Sequence, residues 1–341
     1  MSDVPAISVI VPCRNERAHI EACVRSILAQ QPPPGGFELL VVDGMSDDGT
    51  REILARLARE DARVRLIDNV QQVKGPALNL GLGQASGRYV AVLDAHSRYA
   101  PDYVAECLAV MEETQAASVG GAVYTEGDTW LSRAICAAHH ARFAVGGGTW
   151  HDPTYEGPTD TASGGFFRRS VLEAVGAWDE ELVRNQDDEL SLRLTRAGHT
   201  IYQSPRIKTW YRPRGSLPKL WNQYKQYGYW KVRVIQKHKL PSTIRQLVPA
   251  TFVLALAGSA LGGVVFPPLW AGGLGLAGLY MSASVAASIS TAAKTEWALL
   301  PILPAVFACY HFAYGYGFLR GVLDFAVKGK GGAPTFTAVT R

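Results

Sequence analysis

The sequence predicts an α/β fold built on a mainly parallel central sheet, followed by an interfacial helical segment and C-terminal transmembrane helices. Residues 7–94 alternate short apolar runs with stretches of helical spacing, and Gln246 to Ala293 contains no charged residue and no histidine. Polar residues also gather directly after each apolar run, which is where a parallel sheet presents its ligand site.

The elements follow in order. "ISVIVP" (7–12) is short and uniformly apolar, as a buried strand is, and Ile20, Cys23, Val24, Ile27 and Leu28 then recur at helical spacing. "FELLVVD" (37–43) is a second strand, "TREILARLARE" (50–60) a helix capped by Asp48 or Thr50, and "VRLID" (64–68) a third strand. "GPALNLGLGQA" reads as a helix and "RYVAVLD" (88–94) as a fourth strand. Repeated βα units imply parallel strands with helices on both faces. Just past the strands stand Pro12-Cys-Arg-Asn-Glu16, Asp43-Gly-Met-Ser-Asp-Asp48 and Asp94-Ala-His96. The first turn, "PCRNER", lacks the glycines that a dinucleotide pyrophosphate needs for close approach, which argues against a hydride-transfer enzyme.

Composition agrees with an ordered protein: 48% apolar and 19% charged residues over 341, with a net charge of only +4. Five scattered cysteines without a C-x-x-C pair suit a reducing compartment, and the N-terminus lacks the pattern of a cleaved signal peptide. The charge-free run is divided by Pro267-Pro268 into candidate spans Leu247–Phe266 and Leu269–Ser290, and Trp297–Leu319 is a third candidate. The expected organisation is a catalytic domain over 1–215, a basic aromatic interfacial segment over 216–243, two to three transmembrane helices over 244–325 and a polar tail over 326–341. Lys231, Arg233, Lys237 and Lys239 before the first span favour a cytosolic N-terminal domain and a multi-pass inner-membrane protein. Three crossings would send the basic tail to the other side, so the number of crossings stays open.

In "VAVLDAHSRY" (90–99), Asp94 and His96 flank Ala95 one residue apart on an extended segment, so their side chains share one side. An aspartate at 96 would complete the Asp-x-Asp metal clamp of a nucleotide-sugar enzyme. Pro101 and the pattern Tyr103, Val104, Leu108 place the next helix too late for Asp94 to cap it. Imidazole suits Mn²⁺ better than the oxygen-loving Mg²⁺, so Asp94 is the expected anchor and Mn²⁺ the favoured cation, with Mg²⁺ as the alternative. Whether His96 ligates the metal or hydrogen-bonds a diphosphate is open. Gly164 and Gly165 in "ASGGFFRR" either admit donor sugar or acceptor close to the backbone or form a plain tight turn. Residues 217–239 mix Trp221, Tyr224, Tyr227, Tyr229 and Trp230 with lysines, as a segment in the headgroup layer does. With so small a net charge, nucleic acid is not an expected partner.

"VIVPCRNE", "LLVVDGMSDDGT", "KGPALNLGLGQASGRYVAVLDAH", "TASGGFFRRSVLEAVGAWDEELVRNQDDELSLRLTRAGH" and "SLPKLWNQYKQYGYWK" together resemble, in this order, the blocks of inverting family 2 glycosyltransferases. Over about residues 5–240 the chain is most similar to the membrane-bound bacterial exopolysaccharide branch that includes the succinoglycan glucosyltransferase. The resemblance implies a GT-A fold and a nucleotide-sugar donor, taken here as UDP-glucose. The acceptor it implies is an undecaprenyl-diphosphate-linked saccharide at the lipid bilayer. It also implies that Pro12, Arg14 and Glu16 border the nucleoside, that Asp43 accepts from the uracil ring and that Lys74 approaches the phosphates. Asp187 would be the base, or Asp188 if the register slips by one, since Gln186 stands where the family often has glutamate. Gln226-Tyr-Gly-Tyr-Trp230 has the spacing of the family's Gln-x-x-Arg-Trp acceptor motif with tyrosine for arginine, and Gln223 and Trp230 are the expected acceptor contacts. The rival reading is a non-catalytic membrane scaffold that retains a nucleotide-binding fold.

Overall fold

The computed structural model describes residues 5–329 together with Gly332, Ala333 and Phe336, so the expected polar tail lies partly outside the described residues. Two compact units are formed, one from Met1–Tyr124 with Thr149–Arg212, the other from Thr125–Gly148 with Pro213–Arg341.

The first unit begins with β1 (Ile7–Cys13), α1 (Ile20–Leu28), β2 (Phe37–Asp43), α2 (Thr50–Glu60), β3 (Val64–Asp68), α3 (Lys74–Gln84) and β4 (Tyr89–Val92). These are the elements expected from the sequence, with small differences at their ends. The short β5 (Arg98–Tyr99) follows, then α4 (Tyr103–Thr114), β6 (Ser118–Gly121) and β7 (Val123–Thr125). After α5 (Trp130–His139) and α6 (Arg142–Val145), which lie in the second unit, the first resumes. It adds β8 (Gly157–Thr159), β9 (Ser163–Arg168), α7 (Arg169–Val175), α8 (Gln186–Arg196), β10 (Ile201–Gln203) and β11 (Thr209–Tyr211).

Eight strands form the main sheet in the order β3-β2-β1-β4-β9-β6-β10-β8, and β5, β11 and β7 form a small second sheet. The pairs β1–β2, β2–β3, β1–β4 and β6–β10 are parallel, whereas β9 runs antiparallel to β4 and β6 and β8 antiparallel to β10. Strands buried on both faces need apolar residues at every position. Ile7, Val9, Val11, Leu39 and Val41 accordingly pack with Ile20, Val24, Leu54 and Val104 of α1, α2 and α4. Ile10, Leu40 and Val42 pack on the other face with Leu78, Leu172, Leu190 and Leu194 of α3, α7 and α8. At the head of α2 the cap is divided: Gly49 takes the left-handed φ of 100°, and Asp48 Oδ1 accepts from the Thr50 amide at 3.0 Å.

The second unit closes with α9 (Leu217–His238), α10 (Val248–Gly262), α11 (Pro268–Lys294) and α12 (Leu303–Gly321). Ala134, Ile135 and Ala138 of α5 join Leu220 of α9 and Leu303, Val306, Phe307 and Tyr310 of α12 in its core. Residues 125–148, expected within the catalytic domain, therefore belong to this unit, because the apolar side of α5 finds its partners there.

Among the described residues two helices, Ile244–Gly262 and Pro268–Lys294, are long and apolar enough to cross a membrane. Leu254 and Leu261 on the first and Leu274 and Leu279 on the second are exposed. The third candidate, Trp297–Leu319, differs from expectation. It opens as a 3-10 turn, continues as α12 and spends its apolar side chains on α5 and α9. The aromatic segment differs likewise, since α9 buries Tyr229 and Trp230 rather than offering them to a headgroup layer.

Candidate active site

The parallel register collects the polar residues of the first unit. Cys13 of β1 pairs with Asp43 of β2, and Asp43 with Asp68 of β3, so three polar residues lie in one row at the carboxyl ends of adjacent strands. Asp43 is fully buried. Its Oδ2 accepts from Arg51 Nη1 at 2.7 Å and from the Ser46 amide at 2.9 Å, and its Oδ1 lies 3.7 Å from Cys13 Sγ. Arg51 also reaches Asp68 at 2.8 Å, so one guanidinium in the first turn of α2 ties two strand ends together. Asp43 thus holds its own turn through the Ser46 amide, and its carboxylate is ion-paired with Arg51.

Pro12 pairs with Val42, one residue before the terminal Cys13–Asp43 pair of β1. Arg14, half-buried, lies over Gly44, where a Cβ would come within 3.2 Å of its own. Asn15 and Met45 adopt left-handed φ values of 53° and 56°, and their loops are stitched together by Asn15 N–H to Ser46 Oγ at 2.8 Å and Asp47 N–H to Asn15 Oδ1 at 3.0 Å. Sparsely populated backbone of this kind persists only where surrounding bonds hold it.

Asp94 and Ala95 follow β4, with Ala95 buried and Asp94 partly exposed. Lys74, the first residue of α3, donates from Nζ to Asp94 Oδ1 at 2.8 Å, which leaves Oδ2 without a partner among the described residues. The Lys74 ammonium, opposed by burial and aided by His96, holds the Asp94 carboxyl down to about 2. Asp94 does not cap a helix, because α4 starts at Tyr103. The Asp94 amide instead donates to Tyr99 Oη at 2.7 Å, fixing the turn that follows. His96 is exposed, and its Nδ1 sits 3.2 Å from Oε1 of the buried Glu16. A cation offered Asp94 Oδ2 and the free nitrogen of His96 would find a carboxylate and an imidazole, a donor set that suits Mn²⁺. No group of three or more His, Cys, Asp or Glu able to hold a metal occurs among the described residues.

Asp187 and Asp188 lie in the first turn of α8, behind Asn185 with φ 65°. Asp187 is exposed and its Oδ1 accepts from the Asp188 amide at 2.9 Å, while Asp188 is half-buried. Their neighbours are committed elsewhere: Gln186 donates to the Leu182 carbonyl at 2.7 Å, and Glu189 pairs with Arg193 at 2.8 Å. Of these acids, Asp187 is the one open to solvent. Gly164 takes φ +70°, and a Cβ there would overlap the Tyr103 hydroxyl, which donates to its carbonyl at 2.5 Å. A Cβ on Gly165 would overlap the Phe167 ring. Both glycines therefore have a packing reason.

Gln223 and Trp230, the expected acceptor contacts, lie in the second unit. Gln223 Nε2 donates to Tyr227 Oη at 2.9 Å. Trp230 is only 3% exposed and gives its indole N–H to the Phe336 carbonyl at 2.9 Å, which makes it a packing residue rather than an open acceptor contact. Arg51 and Ser46 escaped the sequence reading. The sequence does put an arginine one helical residue after an acidic loop, but only the β2–β3 register makes it a bridge.

Comparison with known proteins bears on this arrangement. The model of the glycosyl transferase family 2 matches residues 8–176. The succinoglycan biosynthesis protein ExoA of Rhizobium meliloti (strain 1021) is 30% identical over 93% of this chain and 95% of its own. The chain belongs to the family 2 glycosyltransferases. The dolichyl N-acetyl-alpha-D-glucosaminyl phosphate 3-beta-D-2,3-diacetamido-2,3-dideoxy-beta-D-glucuronosyltransferase of Methanococcus voltae is 24% identical over 93% of this chain and 97% of its own. The mannosyltransferase PcManGT from Pyrobaculum calidifontis, solved with GDP-Man and Mn²⁺, superposes with a TM-score of 0.59 at 21% identity, covering 93% of this chain and 87% of that one. The transferase thus has the GT-A fold, and enzymes of that fold take nucleotide-sugar donors.

Proposed function

We propose that the transferase is an inverting, metal-dependent hexosyltransferase that moves glucose from UDP-glucose onto an undecaprenyl-diphosphate-linked saccharide in bacterial surface-polysaccharide assembly. The observation that carries the reading is Asp94, held ionised at the carboxyl end of β4 with one oxygen unpartnered among the described residues and His96 two residues on. Asp94 and His96 would hold the cation, which when bound neutralises charge on the leaving diphosphate. Lys74, at the head of α3, has the charge and reach to follow the phosphates. Arg14 and the Asp43 turn would border the nucleoside. For Asp43 to meet a base directly, Arg51 would have to share it.

Asp187 would take the proton of the acceptor hydroxyl from its exposed place in the first turn of α8, with Asp188 as its neighbour. One base and a single displacement turn an α-linked donor into a β-glycoside. The lipid-linked acceptor is supported by the dolichyl phosphate in the name of the Methanococcus voltae relative and by the exposed apolar helices α10 and α11, and the role in polysaccharide assembly by the succinoglycan relative. These same helices support an inner-membrane location with the first unit in the cytoplasm.

The test is nucleotide release by detergent-purified protein from a panel of UDP- and GDP-sugars, with membrane lipid extract and with Mn²⁺, Mg²⁺ or chelator. Lipid-dependent turnover of UDP-glucose that chelator stops is the expected result. UDP binding without turnover of any donor would favour the scaffold reading. Asp187→Asn is expected to lower transfer by about 100-fold or more while sparing UDP binding, in line with loss of a general base. Normal transfer by that variant would move the role to Asp188.

A further inference from the structure

His96 poses a problem that an aspartate in its place would not. A carboxylate offers lone pairs on either oxygen, whereas a neutral imidazole has one ring lone pair, on whichever nitrogen lacks the proton. Something must choose that nitrogen. Glu16 is placed to do so: its Oε1 lies 3.2 Å from His96 Nδ1, and the Glu16 side chain is only 6% exposed against 38% for His96. Its main chain is pinned as well. The Glu16 amide donates to Thr50 Oγ1 at 2.9 Å, and its carbonyl accepts from the amides of His19 and Ile20, both at 2.8 Å. The loops that carry Glu16 and His96 follow β1 and β4, which are paired neighbours in the sheet. Glu16 is therefore a buried, backbone-anchored acceptor facing a more exposed ring.

We infer that Glu16 is the positioning residue of His96: it accepts from Nδ1–H, holds that tautomer and leaves the Nε2 lone pair for a divalent cation beside Asp94. This rests on the metal-dependent reading above and gives Glu16 a task other than the nucleoside contact implied by the resemblance. A carboxylate behind a ligating imidazole orients the ring and raises its basicity, and losing one typically costs about 10- to 100-fold in metal affinity.

The experiment measures Mn²⁺ binding to the full-length protein in detergent with saturating UDP, reading free Mn²⁺ by electron paramagnetic resonance. Glu16→Ala should weaken Mn²⁺ binding by about 10- to 100-fold, and Glu16→Gln, which keeps an acceptor oxygen, should recover most of it. The double variant Glu16→Ala/His96→Ala should bind no more weakly than His96→Ala alone, and UDP affinity without metal should be unchanged throughout. Additive losses in the double variant, or a metal-independent loss of UDP affinity in Glu16→Ala, overturn the inference while leaving the metal-dependent function standing. Failure of the parent protein to take Mn²⁺ with UDP overturns both. Should Glu16→Ala not fold, ¹⁵N-histidine spectra of the parent decide: the His96 signal, identified by its loss in His96→Ala, must report the Nδ1–H tautomer, and Nε2–H overturns the inference.

Discussion

Glu38 carries more structural connections than any motif reading would assign it. Its carboxylate accepts from Ser8 Oγ at 2.7 Å, from the Ser86 amide at 2.8 Å and from Arg65 at 3.2 Å, so it joins β1, β3 and the turn before β4. Burial pushes its carboxyl up, but the bonds from Ser86, Ser8 and Arg65 outweigh that and leave it below the ordinary 4.5. A carboxyl lowered by folding stabilises the native state above its unfolded value, and that contribution is lost as pH falls through the folded one. Melting temperature should therefore drop as pH falls below about 4.5, and Glu38→Gln should flatten that drop while costing about 1–2 kcal/mol at neutral pH. Thiols give a second check at this scale. Cys13, Cys23 and Cys107 are buried, and burial raises each thiol, joined at Cys13 by the Asp43 carboxylate. None should react with iodoacetamide at pH 8 until denaturant opens the fold, as mass spectrometry would record. Asp94 and His96, proposed to hold the cation, were legible as a pair because one residue separates them in sequence, whereas Glu16–His96 and Arg51–Asp68 are contacts that folding brings together.

At the level of elements, α9 and α12 approach so closely that only glycine fits between them. A Cβ on Gly228 would overlap the Tyr314 carbonyl, one on Gly317 the Lys225 carbonyl, and one on Gly321 would stand 2.7 Å from the Tyr229 carbonyl. Backbone cannot yield as a flexible side-chain tip can, so Gly317→Leu should force the helices apart and cost about 3 kcal/mol or more. Gly278→Ala on α11, where nothing lies within 4 Å, should be neutral or slightly stabilising. Thermal unfolding of the two variants in detergent separates packing from helix propensity. The βα units of the first unit could be read from the chain because each strand and helix carries its own periodicity. The fate of α5 and α12 could not, since an apolar helix face is equally suited to lipid and to another helix.

Across the whole molecule the exposed apolar side chains concentrate on α10 and α11. If these helices enter a bilayer as proposed, the protein should stay with membranes through high salt and alkaline carbonate and leave only with detergent. Replacing Leu254 of α10 and Leu274 and Leu279 of α11 with lysine should shift it to the soluble or aggregated fraction, because a charge near mid-bilayer costs roughly 2.5–3.5 kcal/mol.

By itself the sequence determined the parallel α/β core, the family, the charge-free helices and the places after β1, β2 and β4 where polar residues gather, all of which rest on local periodicity or adjacency. Tertiary structure decided what each polar residue faces: Asp43 against Arg51, Asp94 against Lys74, His96 against Glu16. It also turned Trp230 inward and drew α5 into the second unit. The division follows from range, since a residue's periodicity is set by its chain neighbours, while its electrostatic partner is set by strand register and helix packing across tens of residues.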